Sequence, residues 1–491
     1  MRGLPATPLL RALRPVLPGR WHLPAAFDPA GYLAQNPDVA RGGADPALHF
    51  LRHGRAEGRL PGVLQAAAIE AAVWAGEDRR AALAALRQGQ GPEALWAGLA
   101  LARLAALAGD WGRAAVLLSP PEAFLDGLGL PDPLVLRAEM ALRLGDRAGA
   151  ARVLRLAHMR FGPLPGWHLL RAALALGLAE DGAAGWAAAL DPLLAPAGLL
   201  SPVIAPGPGP AFDRLVSHPG TTPAGGAGED APLVSVVMPA HDAAATIDTA
   251  LAGLAAQSWT RFEVLVVENG STDDTAARVA ARARRDPRFR LVAGVAGAGA
   301  YAARNLGVAQ AAGGIIALHD ADDWSHPDRL ARQVRALLAA PAAAACLSHW
   351  VRVTPDLCPA LWRPDVRPVH ANLSSLMLRR EVLERIGPWD RVRAGADTEF
   401  VARLRHVHGP GAVAAVLPDV PLAFGRVGPG SLTQGQTTGL TGPGAAARAA
   451  YLAAAADWHR STALPRMPGP GAARPFPVPD ALRITLREDA E

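Results

Sequence analysis

The chain contains no lysine, so all 49 of its Lys+Arg residues are arginine, in a sequence rich in Ala, Gly, Pro and Arg. That one-sided usage reads as compositional bias and not as a nucleic-acid signal. The net charge is only +5 over 491 residues, and no Arg-rich block is interleaved with aromatics. No nucleic-acid partner is expected. Cysteine is almost absent too: Cys346 and Cys358 show no paired spacing, which excludes a Cys-rich zinc site and suits a reducing compartment. No apolar run approaches the ~18 residues that span a bilayer. Near the N-terminus, Pro5, Pro8, Pro15 and Pro18 break the short apolar patches between Arg2, Arg11, Arg14 and Arg20, so neither a signal peptide nor a membrane helix is expected. The expected location is cytoplasmic, with peripheral attachment at the inner membrane face as a variant.

The length accommodates two or three domains with cores of their own. After a poorly structured segment 1–26, residues 27–62 read as a small helical module, in which Asp28-Pro29 and Asp45-Pro46 each supply an N-cap and a first-turn proline. Residues 64–200 are Ala-rich with helical period. Leu-Ala-Gly-Asp, Leu-Gly-Asp and Leu-Ala-Glu-Asp turns place Asp110, Asp146 and Asp181 at spacings of 36 and 35 residues. This pattern resembles degenerate tetratricopeptide repeats, whose stacked helix pairs offer a docking surface for a protein partner. A Pro/Gly-rich tether is expected over 201–231.

From residue 232 to about 430 apolar strands alternate with helices. Strands are expected at 233–238, 262–267, 289–292 and 314–318, implying a largely parallel sheet that binds ligands beyond its strand C-termini. Polar residues gather at those ends: His241-Asp242, Glu268-Asn269, Arg304-Asn305, and Asp320, Asp322 and Asp323. Three carboxylates within four residues repel one another unless a cation or sugar hydroxyls neutralise them. The rival reading of an acidic turn capping the next helix does not account for the other polar pairs. Gly297-Ala298-Gly299-Ala300-Tyr301-Ala302 fits G-x-G-x-x-A, but it follows the third strand, whereas a dinucleotide fingerprint follows the first.

The segments VSVVMPAHD, FEVLVVENGSTDDT, AYAARNLGVAQAAGG, IIALHDADDWSHPDRL and SSLMLRREVLERIGPWD with GADTEF resemble, in order and spacing, a family 2 glycosyltransferase of the GT-A fold. The fold class so implied is an α/β, Rossmann-like GT-A domain preceded by an all-α helical-repeat domain. The resemblance implies inverting transfer from a nucleotide-diphosphate sugar with Mg2+ or Mn2+. Asp320-Ala321-Asp322 with Asp323 matches the DxD element, with Asp322 and Asp323 as metal candidates and Asp320 on the donor. His241, Asp242, Glu268, Asn269 and Arg304 fall on the donor side. Asn269 stands where the family more often has aspartate, so a UDP-sugar is the leading expectation and thymidine or guanosine donors stay open. Asp397 matches the family's acceptor-side aspartate, although Ala396 replaces the usual acidic residue before it. Inverting transfer needs one base on the acceptor hydroxyl, and Asp397 is assigned that role, with Glu399 as substitute.

Trp389 is a weak candidate for stacking on the acceptor, and Arg426, in a mobile loop continuing through 430–433, for reaching the diphosphate. The tail from Arg466 is expected to be loosely ordered. The acceptor would be a glycan or a lipid-linked hydroxyl, in surface or extracellular polysaccharide synthesis. The alternative from another class is a non-catalytic helical-repeat scaffold with a ligand-binding or decayed sugar-nucleotide domain.

Overall fold

Two parts with different periodicities fold into two compact units: residues Met1–Ala189 with Cys358–Pro368, and Leu190–Leu357 with Val369–Glu491. The computed structural model describes residues 6–15, 17, 19–177, 182–221, 231–363, 367–428, 439, 442–469 and 471–484.

The first unit is all-helical among its described residues. Its repeated turn has a simple physical basis. Gly109 and Gly145, at φ of 79° and 78°, take the left-handed conformation that ends one helix. Asp110 and Asp146 then cap the next, accepting from the backbone N–H of Arg113 at 3.0 Å and of Gly149 at 2.8 Å. The third matching aspartate, Asp181, lies outside the described residues. The helices Asp132–Arg143 and Arg147–Phe161 pair across such a turn. The module near the N-terminus uses its Asp-Pro devices as expected: Asp28 and Asp45 cap helices that begin at Pro29 and Pro46. The segment 358–368 belongs to this unit, where Trp362 stacks on Trp74 with ring centres 6.0 Å apart.

The second unit is built on strands β3 (Val234–Ala240), β4 (Phe262–Glu268), β5 (Phe289–Ala293), β6 (Ile315–Leu318), β7 (Trp324–Ser325), β8 (Ala345–Val353), β9 (His370–Ala371), β10 (Met377–Arg379) and β11 (Val413–Arg426); β1 (Val203–Ile204) and β2 (Leu215–Val216) form a separate hairpin ahead of them. The large sheet runs β5-β4-β3-β6-β10-β8-β11-β7, with β9 beside β8. It is mixed: β5, β4, β3 and β6 are parallel, whereas β10 enters antiparallel to both neighbours. Strand β3 is apolar because both its faces are covered, which is the pattern of a central parallel strand. Its one polar residue, Ser235, donates its hydroxyl to Glu263 at 2.6 Å and accepts from the Gly313 N–H at 2.7 Å. The helix Gly299–Gln310 lies so close to β3 that a Cβ on Gly307 would meet Val237 Cγ1 at 2.4 Å.

Two expected loose segments are folded. Within 201–231, the chain is no mere tether, since β1 pairs with β2, Phe212 is fully buried, and the Phe212 N–H bonds to the Pro355 carbonyl at 2.9 Å. The described residues of 467–484 form a strap: Met467 N–H bonds to the Ile386 carbonyl at 2.9 Å, Arg474 pairs with Asp390 at 2.9 Å, and Phe476, Val478 and Leu482 are buried. Apolar residues spaced among the prolines anchor both segments; composition alone hides them. The expected loop at 430–433 lies outside the described residues.

Candidate active site

The acidic residues sit where β6 ends and the chain turns into the short strand β7. Asp320 is 34% exposed and doubly held: Arg304 Nη2 donates to Oδ1 at 2.8 Å, and the Ser374 hydroxyl donates to Oδ2. Asp323 is buried and accepts the Arg426 backbone N–H at 3.3 Å. Asp322 is partly exposed. Burial, and next the charge of Asp320, push the Asp322 carboxyl up to about 6, while burial and the charges of Asp322 and Asp320 raise Asp323 well above the usual carboxylate range. Beneath them His319 is held neutral: burial first, then Arg329, takes it down to about 3, and its ring nitrogens meet the Asp320 carbonyl at 2.6 Å and Ser325 Oγ at 2.9 Å.

Arg304 joins this loop to the helix Gly299–Gln310, on which it sits. It is 5% exposed, and against the opposing effect of burial its charge is sustained by the Asp320 carboxylate and next by that of Asp397. Tyr301 is buried with the Arg304 guanidinium over its ring, 5.3 Å from the ring centre; burial and then the Asp397 charge raise the phenol far above its ordinary value, so it stays protonated. Asp397 lies in the first turn of the helix Ala396–His408, which starts after Gly395 at φ 96°. That left-handed residue turns the chain into the helix and leaves Asp397 half-buried, while Ala396 is fully buried in the core. A carboxylate in place of Ala396 would need a partner there. The neighbouring Asn305 faces away, with its amide bonded to both backbone groups of Trp389 at 2.8 and 3.0 Å.

At the other end of the sheet edge, His241 is exposed and its Nε2 lies 3.6 Å from Asp242 Oδ2. Asp242, at φ 44°, accepts through Oδ1 from the Thr272 N–H at 2.8 Å, tying the loop after β3 to the loop after β4. Glu268 accepts from the Ser271 N–H. Asn269 departs from its expected outward role. It is buried, and with its amide assigned from its neighbours, nitrogen toward the Val295 carbonyl and oxygen toward the Gly299 N–H, it makes contacts of 2.5 and 3.1 Å. Both ends of the amide hold the glycine loop.

Two acceptor-side candidates are corrected. Glu399 is fully buried and spends its oxygens on Arg403 at 2.9 and 3.1 Å and on His459 at 2.9 Å, so it is not placed to take a substrate proton. Trp389 is a core residue, 1% exposed and stacked on Phe400 at 4.2 Å, with no face for a sugar. Sequence reasoning missed Ser374, whose signal was weak, a Ser-Ser pair just before an apolar strand.

The donor set suits a hard divalent cation, since it consists of crowded carboxylate oxygens whose repulsion such a charge relieves. Among the described residues no group of three or more His, Cys, Asp or Glu side chains converges to hold a metal alone. One or two carboxylates completed by phosphate oxygens is the arrangement typical of Mg2+.

The parallel half of the sheet thus carries an acidic loop at its strand ends, with the half-buried carboxylate of Asp397 on a later helix. Residues 235–357 match the family model described as Glycosyl transferase family 2, and the stretch so matched carries strands β3 to β8 of the mixed sheet. A Rhizobium meliloti (strain 1021) succinoglycan biosynthesis protein, ExoO, is 42% identical over 111 residues, which is 23% of this chain and 31% of that protein. The Escherichia coli UDP-Glc:alpha-D-GlcNAc-diphosphoundecaprenol beta-1,3-glucosyltransferase WfgD is 32% identical over 106 residues, 22% of this chain and 41% of its own length. The chain spans less than half the length of these two curated relatives. Among solved structures, S. aureus TarS 1-349 in complex with UDP overlaps 40% of this chain and 61% of that one at 19% identity and a TM-score of 0.31. A Pyrobaculum calidifontis mannosyltransferase in complex with GDP-Man and Mn2+ overlaps 47% and 73% at 23% identity and a TM-score of 0.34.

Proposed function

We propose that the protein is a divalent-metal-dependent, inverting glycosyltransferase that moves a sugar from a nucleotide-diphosphate donor, a UDP-sugar foremost, to a hydroxyl of a glycan or lipid-linked acceptor in surface polysaccharide synthesis. The observation that carries this reading is the crowded acidic loop of Asp320, Asp322 and Asp323, with Asp320 paired to the buried Arg304 at 2.8 Å, together with the half-buried carboxylate of Asp397 on a separate helix. In this reading Asp322, the more exposed of the two metal candidates, holds Mg2+ or Mn2+ with support from Asp323, and Asp320 meets the donor. The bound cation would supply charge neutralisation for the departing diphosphate. Asp397 takes the proton of the acceptor hydroxyl as that oxygen attacks the anomeric carbon. The new glycosidic C–O bond forms on one face while the bond to the diphosphate breaks on the other, which inverts the centre. Arg304 and Asp397 influence each other's charge across the site. His241 offers an exposed ring to the base, while Asp242, Glu268 and Asn269 shape the loops around it. We read the helical unit as tetratricopeptide-like repeats that dock a protein partner.

The test is Asp397→Asn. It should bind nucleoside diphosphate in Mn2+ as the wild type does, yet lose about 100- to 10,000-fold in turnover, the range for removal of a general base. Turnover within a few-fold of wild type would place the base elsewhere.

A further inference from the structure

We infer that Asp213, on the hairpin ahead of the transferase sheet, is a positioning residue of the sugar-nucleotide site. It fixes Arg426 beside the acidic loop so that the free edge of the guanidinium meets the phosphates of a nucleoside diphosphate. The inference rests on reading that loop as the diphosphate site.

Arg426 ends β11 at the acidic residues. Its backbone N–H donates to Asp323 Oδ1 at 3.3 Å, and its Nε reaches the Asp322 carbonyl at 3.5 Å. Its Nη2 donates to Asp213 Oδ1, which also accepts from the Thr249 hydroxyl at 3.2 Å. The guanidinium lies over the Phe212 ring, 4.2 Å from its centre. Phe212 is fully buried and tied to the Pro355 carbonyl, so the hairpin offers a fixed ring and a fixed carboxylate side by side. Two of the three guanidinium nitrogens are thus engaged, and Nη1 has no partner among the described residues.

The arrangement answers an electrostatic problem. Three carboxylates and a diphosphate cannot share one divalent cation without excess negative charge, and a planar guanidinium both neutralises phosphate oxygens and meets two of them at once. A free arginine loses substantial rotamer entropy on binding phosphate, whereas one already stacked and paired has lost it beforehand. Both Asp213 and Arg426 fall outside the stretch 235–357 that matches the family, so this clasp belongs to the chain's own surroundings of that core.

Calorimetric titration of UDP and of GDP, each with and without Mn2+, into full-length wild type, Asp213→Ala, Asp213→Asn, Arg426→Met and Asp213→Ala/Arg426→Met tests it, with thermal unfolding of each variant alongside. Asp213→Ala should bind about tenfold more weakly, which is roughly 1.4 kcal/mol. Asp213→Asn, which keeps the accepting oxygen, should stay within about threefold of wild type, and the double variant should be no weaker than Arg426→Met alone. Wild-type affinity in Asp213→Ala, or additive losses in the double variant, would overturn the role of Asp213 while leaving the site intact. Equal weakening in Asp213→Asn and Asp213→Ala, each with the same fall in melting temperature, would assign Asp213 to hairpin stability and overturn it too. Failure of the wild type to bind either diphosphate would instead remove the site on which the inference stands.

Discussion

The contact between Arg304 and Asp320 is the joint on which the candidate site turns, and its strength can be measured. Arg304 is 5% exposed and Asp320 34% exposed, with a 2.8 Å charge-assisted hydrogen bond between them. Such a bond contributes about 1.5–3 kcal/mol when shielded from water. Solvent access at Asp320 screens the pair, so we expect about 1–2 kcal/mol here. A double-mutant cycle of Arg304→Met and Asp320→Asn, followed by urea unfolding, isolates that coupling from the packing lost with the arginine stem. Arg304→Met alone should destabilise by more than the coupling, because it leaves Asp320 facing Asp322 and Asp323 without its cation. The same variant should weaken nucleoside diphosphate binding in Mn2+. A coupling below about 0.3 kcal/mol would refute the view that this pair organises the loop.

Other expectations follow from the same network. Glu399→Gln should destabilise the fold by about 3 kcal/mol, since it leaves Arg403 buried with a neutral partner, and chemical denaturation would read that loss directly; an unchanged midpoint would return Glu399 to the list of available carboxylates. His319 gives a pH signature. Its folded value of about 3 lies below the ordinary 6.5, so the unfolded chain takes up the proton first as pH falls. Stability from this group is therefore complete above pH ~6.5 and is lost at about 1.4 kcal/mol per pH unit on the way toward 3. The difference in unfolding free energy between wild type and His319→Gln should shrink with that slope, and parallel curves would contradict it.

What could be read before the structure was local. The alternation of apolar strands with helices placed β3 to β6, because covering both faces of a parallel strand leaves few residue types to choose from. The capping aspartates Asp110 and Asp146 were legible because a cap acts over three residues. The acidic run stood out because crowded carboxylates are costly. Roles that depend on distant partners were not legible. Asn269 reads as a base contact until the Val295–Gly299 loop folds over it, and Glu399 as a spare base until Arg403 and His459 close on it. Asp213 sits 213 residues from Arg426 in the chain, within a stretch whose Pro and Gly content suggests only a tether. Its function is created by tertiary contact, so no local pattern could announce it.

The central claim is metal-dependent transfer from a nucleotide-diphosphate sugar. The most direct measurement is release of nucleoside diphosphate from a panel of UDP-, GDP- and dTDP-sugars, each with and without Mn2+, by wild type and Asp322→Ala. The account predicts release from at least one donor by the wild type in Mn2+ only, with Asp322→Ala reduced to the metal-free level. Equal release with and without the cation, or an Asp322→Ala variant as active as wild type, would contradict it.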